Sequence, residues 1–188
     1  MLFYIPESER HVWISAFDVK PDNVEQILRA AQEKFPGVCV QIVDLNGVAG
    51  SRYLFLAILN ALKSFNSKRP ISKTLPMEVL LYVAASRQIT EAIKLVGVTE
   101  NTTGIAAMAI GSSGEDVSNV GDFLATVLNR GNRDDLVDLW SPERTKRVRV
   151  VFGIGSKELE ATRRKNEPIA KAIERLATER SALLTIRK

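Results

Sequence analysis

The most constraining feature of the 188-residue sequence is a run of apolar residues over positions 51–65. When this run is placed on a helix, apolar side chains cover nearly every face, which is typical of a helix buried at the centre of a fold. Its most apolar part, residues 53–62, is about half as long as a bilayer span. The run therefore predicts a central helix of a globular protein, with no membrane segment.

Other segments predict a mixture of strands and helices around this central helix. Alternating or continuous β-forming residues predict strands at 12–17, 38–43, 103–110, 147–152 and 182–186, of which 147–152 reads as an edge strand. Helices are predicted from a capping box formed by Asp22 and Glu25, after Pro76, after a Ser86 cap, after Gly114, and over 156–165 and 168–178. A polar loop is predicted after Gly131.

This order of elements is irregular, and it favours a layered fold over a doubly wound parallel sheet. We therefore predict an α/β (mixed α+β) fold, in which several helices cover a small, largely antiparallel sheet. No internal repeat or composition break divides the chain, so a single domain is predicted over residues 1–188.

The net charge of +4 is distributed unevenly. Residues 144–188 contain 13 Lys and Arg against 5 Asp and Glu, whereas residues 1–143 contain 13 against 17. This asymmetry points to an anionic partner, and a solvated basic helix face is the alternative explanation.

Few residues are available for catalysis or metal binding. Cys39 is the single cysteine and lies in a predicted buried strand, while His11 is the single histidine. No carboxylate pair, nucleophile with a base, or Cys/His ligand set occurs at a diagnostic spacing. No enzymatic activity, metal or cofactor is predicted.

Two glycine-containing segments resemble anion-binding loops only in part. In the segment FGIGSKE, Lys157 precedes Glu158 where a Walker loop has Ser or Thr, and the glycine spacing is incomplete. A small nucleotide-using enzyme built on this segment is the least favoured hypothesis. In the segment GSSGED, Glu115 and Asp116 would repel a phosphate, so helix capping is the better explanation.

The clearest positive feature is a group of cations between residues 52 and 94. Lys68, Arg69 and Lys73 lie on the connection between two apolar helices, and Arg87 with Gln88 opens the next helix. Such a group is typical of a phosphate-backbone site, with a merely solvated surface as the alternative.

The same region carries a family resemblance. An apolar helix is followed by a basic connection containing Ile71-Ser72-Lys73, an apolar helix containing a glutamate, the turn Arg87-Gln88-Ile89, and a helix that ends at Gly97. This order resembles the central signature of the PRPK-binding (TPRKB-like) small subunits of the KEOPS complex. The resemblance covers essentially the whole chain, although the charged segment 131–147 departs from the family pattern.

The resemblance implies a non-catalytic, cytoplasmic accessory subunit of a hetero-oligomer that makes threonylcarbamoyladenosine in tRNAs reading codons that begin with adenine. It implies docking on the N-terminal lobe of a kinase-like subunit and recruitment of tRNA through its single-stranded 3′ CCA end. Unpaired RNA offers phosphates to cations and bases to planar or apolar groups, which agrees with the residue pattern.

We accordingly predict one tRNA-binding surface and one partner-binding face. Lys68, Arg69 and Lys73 are expected to neutralise phosphates, Arg87 and Gln88 to position the terminal nucleotides, and Arg52 and Lys63 to contribute further charge. Ile169, Ile173 and Leu176 on the C-terminal helix are expected to bind the kinase-like partner, with burial against the sheet as the alternative. A regulator that binds only protein, without RNA contact, remains the alternative function.

Overall fold

The computed structural model describes residues 1–67 and 70–185, except the side chain of Thr185. The strands are β1 (Leu2–Ile5), β2 (Arg10–Phe17), β3 (Cys39–Asp44) and β4 (Ile105–Gly111). The helices are α1 (Val24–Lys34), α2 (Ser51–Asn66), α3 (Leu75–Ala84), α4 (Ile89–Val96), α5 (Gly114–Leu128), α6 (Asp134–Asp138), α7 (Pro142–Val151), α8 (Ser156–Thr162) and α9 (Ile169–Ala182). None of these helices is long and apolar enough to cross a bilayer.

The chain divides into two compact units. Unit 1 comprises residues 1–45 and 97–137, and unit 2 comprises the described residues of 46–96 and 138–188. Unit 1 contains the four-stranded sheet in the order β1-β2-β4-β3, and every strand pairing is antiparallel. The predicted fold class is therefore confirmed, while the assignment of 1–188 to a single domain stays a prediction.

The sheet of unit 1 packs against α1 and α5. Trp13, Phe17, Ile42 and Ile105 from the strands form a buried cluster with Leu124 and other apolar residues of these helices. Every residue of β3 and β4 is buried, as the continuous apolar sequences predict. Cys39 is buried in β3, and burial raises the pKa of its thiol to about 12, so its predicted packing role is confirmed.

A glycine allows α5 to approach the sheet closely. A Cβ atom at Gly121 would lie 2.6 Å from the indole ring of Trp13, which is closer than side-chain atoms pack. The start of α5 is capped by the Ser113 hydroxyl, which accepts a hydrogen bond from the Asp116 amide at 3.2 Å. The capping interpretation of GSSGED is therefore confirmed.

Unit 2 is helical and is built around α2. Six apolar residues of α2 and the polar Ser64 are buried, which confirms the predicted central helix. The Tyr53 hydroxyl donates to the carbonyl of Val83 at 2.8 Å, and its ring packs edge-on against Phe152 with the ring centres 5.1 Å apart. The Ser181 hydroxyl donates to the carbonyl of Tyr82 at 2.9 Å, so α9 is tied to α3.

The predicted edge strand 147–152 is wrong, because these residues lie at the end of α7 and just after it. The Ser141 hydroxyl caps this helix by accepting from the Arg144 amide at 3.0 Å, and Pro142 occupies the first helical turn. Arg144, Val148 and Val151 are buried at helical spacing. The charged and apolar residues at 147–152 thus alternate as they would in a strand, although they belong to a helix and the residue that follows it.

Three smaller predictions also need correction. The helix predicted to be capped by Asp22 begins one residue later, because the Asn23 side chain accepts from the Gln26 amide at 2.9 Å. The polar loop predicted after Gly131 contains α6 and leads into α7. No strand occupies the described part of 182–186, since Ala182 ends α9 and Leu183–Thr185 forms a 3₁₀ turn, whereas Ile186 lies outside the described residues.

The segment that departs from the family pattern stabilises α2. Both Asp138 carboxylate oxygens accept hydrogen bonds from Ser51, one from its amide at 2.9 Å and one from its hydroxyl at 2.6 Å. The guanidinium of Arg144 donates to the carbonyl of Val48 at 3.0 Å and to that of Leu139 at 2.7 Å, while Arg144 itself is buried. The charge of this segment is therefore partly structural.

Candidate nucleic-acid interface

The predicted tRNA-binding residues lie at the two ends of an antiparallel helix pair. The hydrogen bond from Tyr53 to Val83 places the start of α2 beside the end of α3. Arg52, Arg87 and Gln88 are therefore at one end of the pair. A helix as long as α3 spans about 15 Å, so the opposite end, where the α2–α3 connection lies, is well separated from Arg87.

Lys63 and Lys73 lie at this opposite end, and both side chains are exposed. Among the described residues neither is in an ion pair, and the same holds for Arg52. Lys68 and Arg69 fall outside the described residues. The described cations thus form two groups, with Arg52 and Arg87 at one end of the helix pair and Lys63 and Lys73 at the other, rather than one cluster.

A buried carboxylate gives the α2–α3 connection its shape. Glu78 is fully buried, and its two oxygens accept hydrogen bonds from the backbone amides of Ile71 at 3.1 Å and Ser72 at 2.7 Å. The Ser72 hydroxyl in turn donates to the carbonyl of Thr74 at 2.8 Å. Glu78 therefore positions the residues that lead to Lys73.

Replacing Glu78 by alanine is expected to lower the free energy of unfolding by about 2–3 kcal/mol, because the buried amide of Ser72 and the partly buried amide of Ile71 lose their acceptor. Urea denaturation measures this loss, and hydrogen exchange at the amides of Ile71 and Ser72 should accelerate at the same time. Glu91→Ala, which removes an exposed carboxylate from α4, is the matched control and should change stability by less than about 0.5 kcal/mol. Unchanged protection of the two amides would contradict the positioning role.

Arg87 and Gln88 line a cleft of about 600 Å³ between the α3–α4 junction and the end of α7. Arg87 donates to the carbonyl of Leu184 at 3.0 Å, and this bond orients the guanidinium without cancelling its charge. Gln88 is exposed, and its backbone N–H donates to the Ser86 hydroxyl at 3.2 Å. The cleft also contains Glu91 and Arg180, of which Arg180 is paired with Glu158.

The predicted partner-binding residues differ in their accessibility. Ile173 and Leu176 are buried in unit 2, at 0% and 4% exposure, and α9 contacts other helices there rather than a sheet. Ile169 is 37% exposed, so the partner-binding role stays a prediction for Ile169. A buried side chain cannot contact a partner unless the fold rearranges.

Two exposed isoleucines on α4 were not predicted. Ile89, Ala92, Ile93 and Val96 form one apolar series in the sequence, but only Ala92 and Val96 are buried. Ile89 and Ile93 are 42% and 50% exposed. They are four residues apart and so lie on the same side of the helix. A sequence pattern cannot distinguish such residues from core residues, because both follow the helical period.

The structure gives little support to a nucleotide-binding loop, a catalytic histidine or a metal site. The segment FGIGSK joins the end of α7 to the start of α8, whereas a phosphate-binding loop follows a strand. His11 lies in β2, where its ring packs against Tyr4 with centres 4.8 Å apart. Across residues 1–67 and 70–185, no three His, Cys, Asp or Glu side chains are grouped to hold a metal ion.

Comparison with known proteins identifies related chains. The family model for kinase binding protein CGI-121 matches residues 18–184. The EKC/KEOPS complex subunit CGI121 of Yarrowia lipolytica is 27% identical over 107 residues, which are 56% of this chain and 62% of that protein. The regulatory protein Cgi121 of Methanocaldococcus jannaschii is 36% identical over 61 residues, or 32% and 39% of the two chains. The matches thus span less than two thirds of either relative.

Proposed function

This chain belongs to the CGI-121 family of kinase binding proteins, and from that premise we propose that it is a non-catalytic accessory subunit of a KEOPS complex. The name of the Yarrowia relative supports membership of such a complex, and the name of the Methanocaldococcus relative supports a regulatory role. The proposed setting is a cytoplasmic hetero-oligomer in which another subunit performs the chemistry of threonylcarbamoyladenosine formation.

The first proposed partner is the kinase-like subunit, which the family description supports. Its docking site on this chain is formed by Ile89 and Ile93 of α4. Both are large apolar side chains about half exposed, and apolar anchors of this kind contribute most of the energy of protein interfaces. Ile169, also partly exposed, is a second contact, whereas the burial of Ile173 and Leu176 argues against a direct role for them.

The second proposed partner is tRNA, held through its single-stranded 3′ CCA end. The observation that carries this proposal is the cleft lined by Arg87 and Gln88, in which a fixed guanidinium lies beside an exposed amide. A guanidinium binds phosphate with two parallel hydrogen bonds, and an amide can read the edge of an unpaired base. Lys73 and Lys63 add phosphate contacts at the other end of the α2–α3 pair, and Lys68 and Arg69, which lie outside the described residues, are proposed as further phosphate contacts.

Arg87 is expected to contribute to tRNA binding only when the CCA end is present. Arg87→Ala is expected to weaken the binding of intact tRNA roughly tenfold at low salt, because one charged contact is lost, and to leave the binding of CCA-trimmed tRNA unchanged. Titration of purified protein with both tRNAs at two salt concentrations measures this difference. Arg29→Ala removes the same charge from an exposed position on α1 and serves as the control. Equal binding of intact and trimmed tRNA by the unmodified protein would reject recruitment through the CCA end.

A regulator that binds only protein is the second candidate function. The exposed pair Ile89 and Ile93 and the kinase-binding family description support it, since neither involves RNA. Charge reversal at Lys68 and Arg69 separates the two candidates. If the basic connection binds RNA, tRNA affinity falls and the protein complex persists; if it binds acidic protein surface, the complex dissociates first.

A further inference from the structure

The C-terminal part of unit 2 contains a second basic surface. Three of the five carboxylates in residues 144–188 are engaged in internal ion pairs: Glu158 with Arg180 at 2.9 Å, Glu167 with Arg175 at 2.5 Å, and Glu174 with Lys171 at 2.9 Å. These acids therefore do not offset the other cations of this part of the chain. Among the described residues of this part, Glu160 and Glu179 are the carboxylates outside these pairs, and the unpaired cations outnumber them.

The loop between α8 and α9 displays part of this excess. Arg163, Arg164 and Lys165 are exposed and line a cleft of about 580 Å³ together with Arg149. Glu160 is the acidic residue that lines this cleft, so the charge of its lining is +3. Among the described residues, the side chains of Arg164 and Lys165 take part in no ion pair.

Glu167 holds this loop in one conformation. It accepts from the Arg164 amide at 3.2 Å, and its carbonyl accepts from Arg163 Nε at 2.8 Å. The two-point bond from Arg175 keeps the pKa of Glu167 at about 2, so the carboxylate stays charged and in place at neutral pH. The cations of the loop are thus presented by an ordered turn, which lowers the entropic cost of binding an anion.

A third cavity is adjacent to both the basic cleft and the cleft around Arg87. A cavity of about 400 Å³ shares Arg149 with the basic cleft, and it shares Val150 and Gly153 with the cleft that contains Arg87 and Gln88. Arg149 is fixed at the junction, since it donates to the Ser156 hydroxyl at 3.0 Å and to the carbonyl of Ile154 at 3.3 Å. The shared residues show that the three cavities are neighbours within unit 2, and we refer to the three together as the groove.

We propose that this groove binds the RNA strand that leads to the 3′ end, with Arg149, Arg164 and Lys165 contacting phosphates on the 5′ side of the nucleotides held at Arg87. The inference rests on the proposed tRNA recruitment and extends it to a second contact region. Guanidinium and ammonium groups that line neighbouring cavities can each bind a phosphate of one strand, and Leu159 supplies an apolar wall for a base or ribose.

The test compares two variants that each remove two positive charges. Arg164→Gln/Lys165→Gln alters the groove, and Lys20→Gln/Lys157→Gln alters exposed lysines that do not line these cavities. The full-length variants are titrated with intact and CCA-trimmed tRNA over a range of salt concentrations. For the groove variant we expect binding on the order of tenfold weaker at 0.1 M salt, with a log–log salt slope smaller by about 1.4, because two phosphate contacts are lost.

The pattern across the two tRNAs distinguishes this inference from the proposed function. The groove is supported if the groove variant loses the same factor of affinity for intact and for trimmed tRNA. The affinities of the control variant should then stay within about twofold of those of the unmodified protein. If the groove variant binds both tRNAs normally while the unmodified protein still prefers the intact CCA end, the groove is rejected and CCA recruitment stands. If the unmodified protein does not distinguish the tRNAs but the groove variant binds both weakly, the groove stands and CCA recruitment fails. If the groove variant loses affinity for the kinase-like subunit alone, the surface binds protein and the inference is overturned.

Discussion

Replacing Ile89 and Ile93 together by glutamate is expected to weaken binding of the kinase-like subunit by at least about 100-fold. Each substitution removes an apolar anchor and places a charge where the interface would exclude water, and either effect costs about 2 kcal/mol or more. Both side chains are about half exposed in the isolated chain, so the fold itself should tolerate the change. Calorimetric titration with the purified kinase-like subunit measures the affinity, and thermal unfolding checks the fold.

The matched control for this experiment is Val127→Glu. Val127 is an exposed apolar residue of α5 in unit 1, 47% accessible, and its replacement by glutamate introduces one negative charge outside unit 2, where the α4 variant introduces two within it. This variant should bind the kinase-like subunit as the unmodified protein does. Normal binding by the doubly substituted α4 variant, with an unchanged unfolding temperature, would show that the kinase does not dock on Ile89 and Ile93.

Replacing Arg144 by leucine is expected to lower the free energy of unfolding by about 3–5 kcal/mol. The buried guanidinium satisfies the carbonyls of Val48 and Leu139, and it lies 5.3 Å from the ring of Trp140. Leucine fills part of the space but leaves both carbonyls without this donor, and that of Val48 is buried, which accounts for the size of the loss. Urea denaturation, followed by far-ultraviolet circular dichroism, measures the change.

Two further variants determine whether the loss of stability comes from the hydrogen-bond geometry or from the charge at position 144. Lys146→Leu removes an exposed cation from the same helix and should change stability by less than about 0.5 kcal/mol. Arg144→Lys keeps the charge but loses the planar fork of donors, so its stability should fall between those of the unmodified protein and Arg144→Leu. A leucine variant as stable as the unmodified protein would rule out a structural role for the guanidinium.

Local patterns predicted the elements whose signals span many residues. The apolar coverage of residues 51–65 correctly predicted the central helix α2, and the β-forming runs predicted β2, β3 and β4. The antiparallel class of the sheet also followed from the irregular order of strands and helices. These predictions hold because burial of an element requires a hydrophobic pattern along its own sequence.

Short segments were less predictable, because their conformation depends on contacts distant in sequence. The residues after Arg147 alternate like a strand, yet Ser141 and Pro142 start a helix that extends through them. The helix buries Arg144 against the carbonyl of Val48, 96 residues away. A window of a few residues contains no information about such a partner.

The candidate sites likewise combine features that the sequence predicted with features that depend on contacts distant in sequence. The sequence predicted Lys73 on the connection between two helices and Arg87 with Gln88 in the first turn of the next helix. The structure places Lys73 on the α2–α3 connection and Arg87 with Gln88 just before α4. It did not predict that Glu78 would be buried under the connection, or that Glu167 would hold the cationic loop at 163–165. Both carboxylates appear in the sequence only as negative charges. Their role depends on which backbone amides the fold brings within hydrogen-bonding distance.

By itself, the sequence determined the mixed α/β class, the central helix, the excess of basic residues near the C-terminus and the resemblance to a kinase-binding family. These properties depend on residue type and on spacing along the chain. Only the tertiary structure decided which isoleucines of α4 are exposed, which acids are engaged in ion pairs, and which separate cations line one groove. These properties depend on distances between residues far apart in the chain, and the packing of the helices sets those distances.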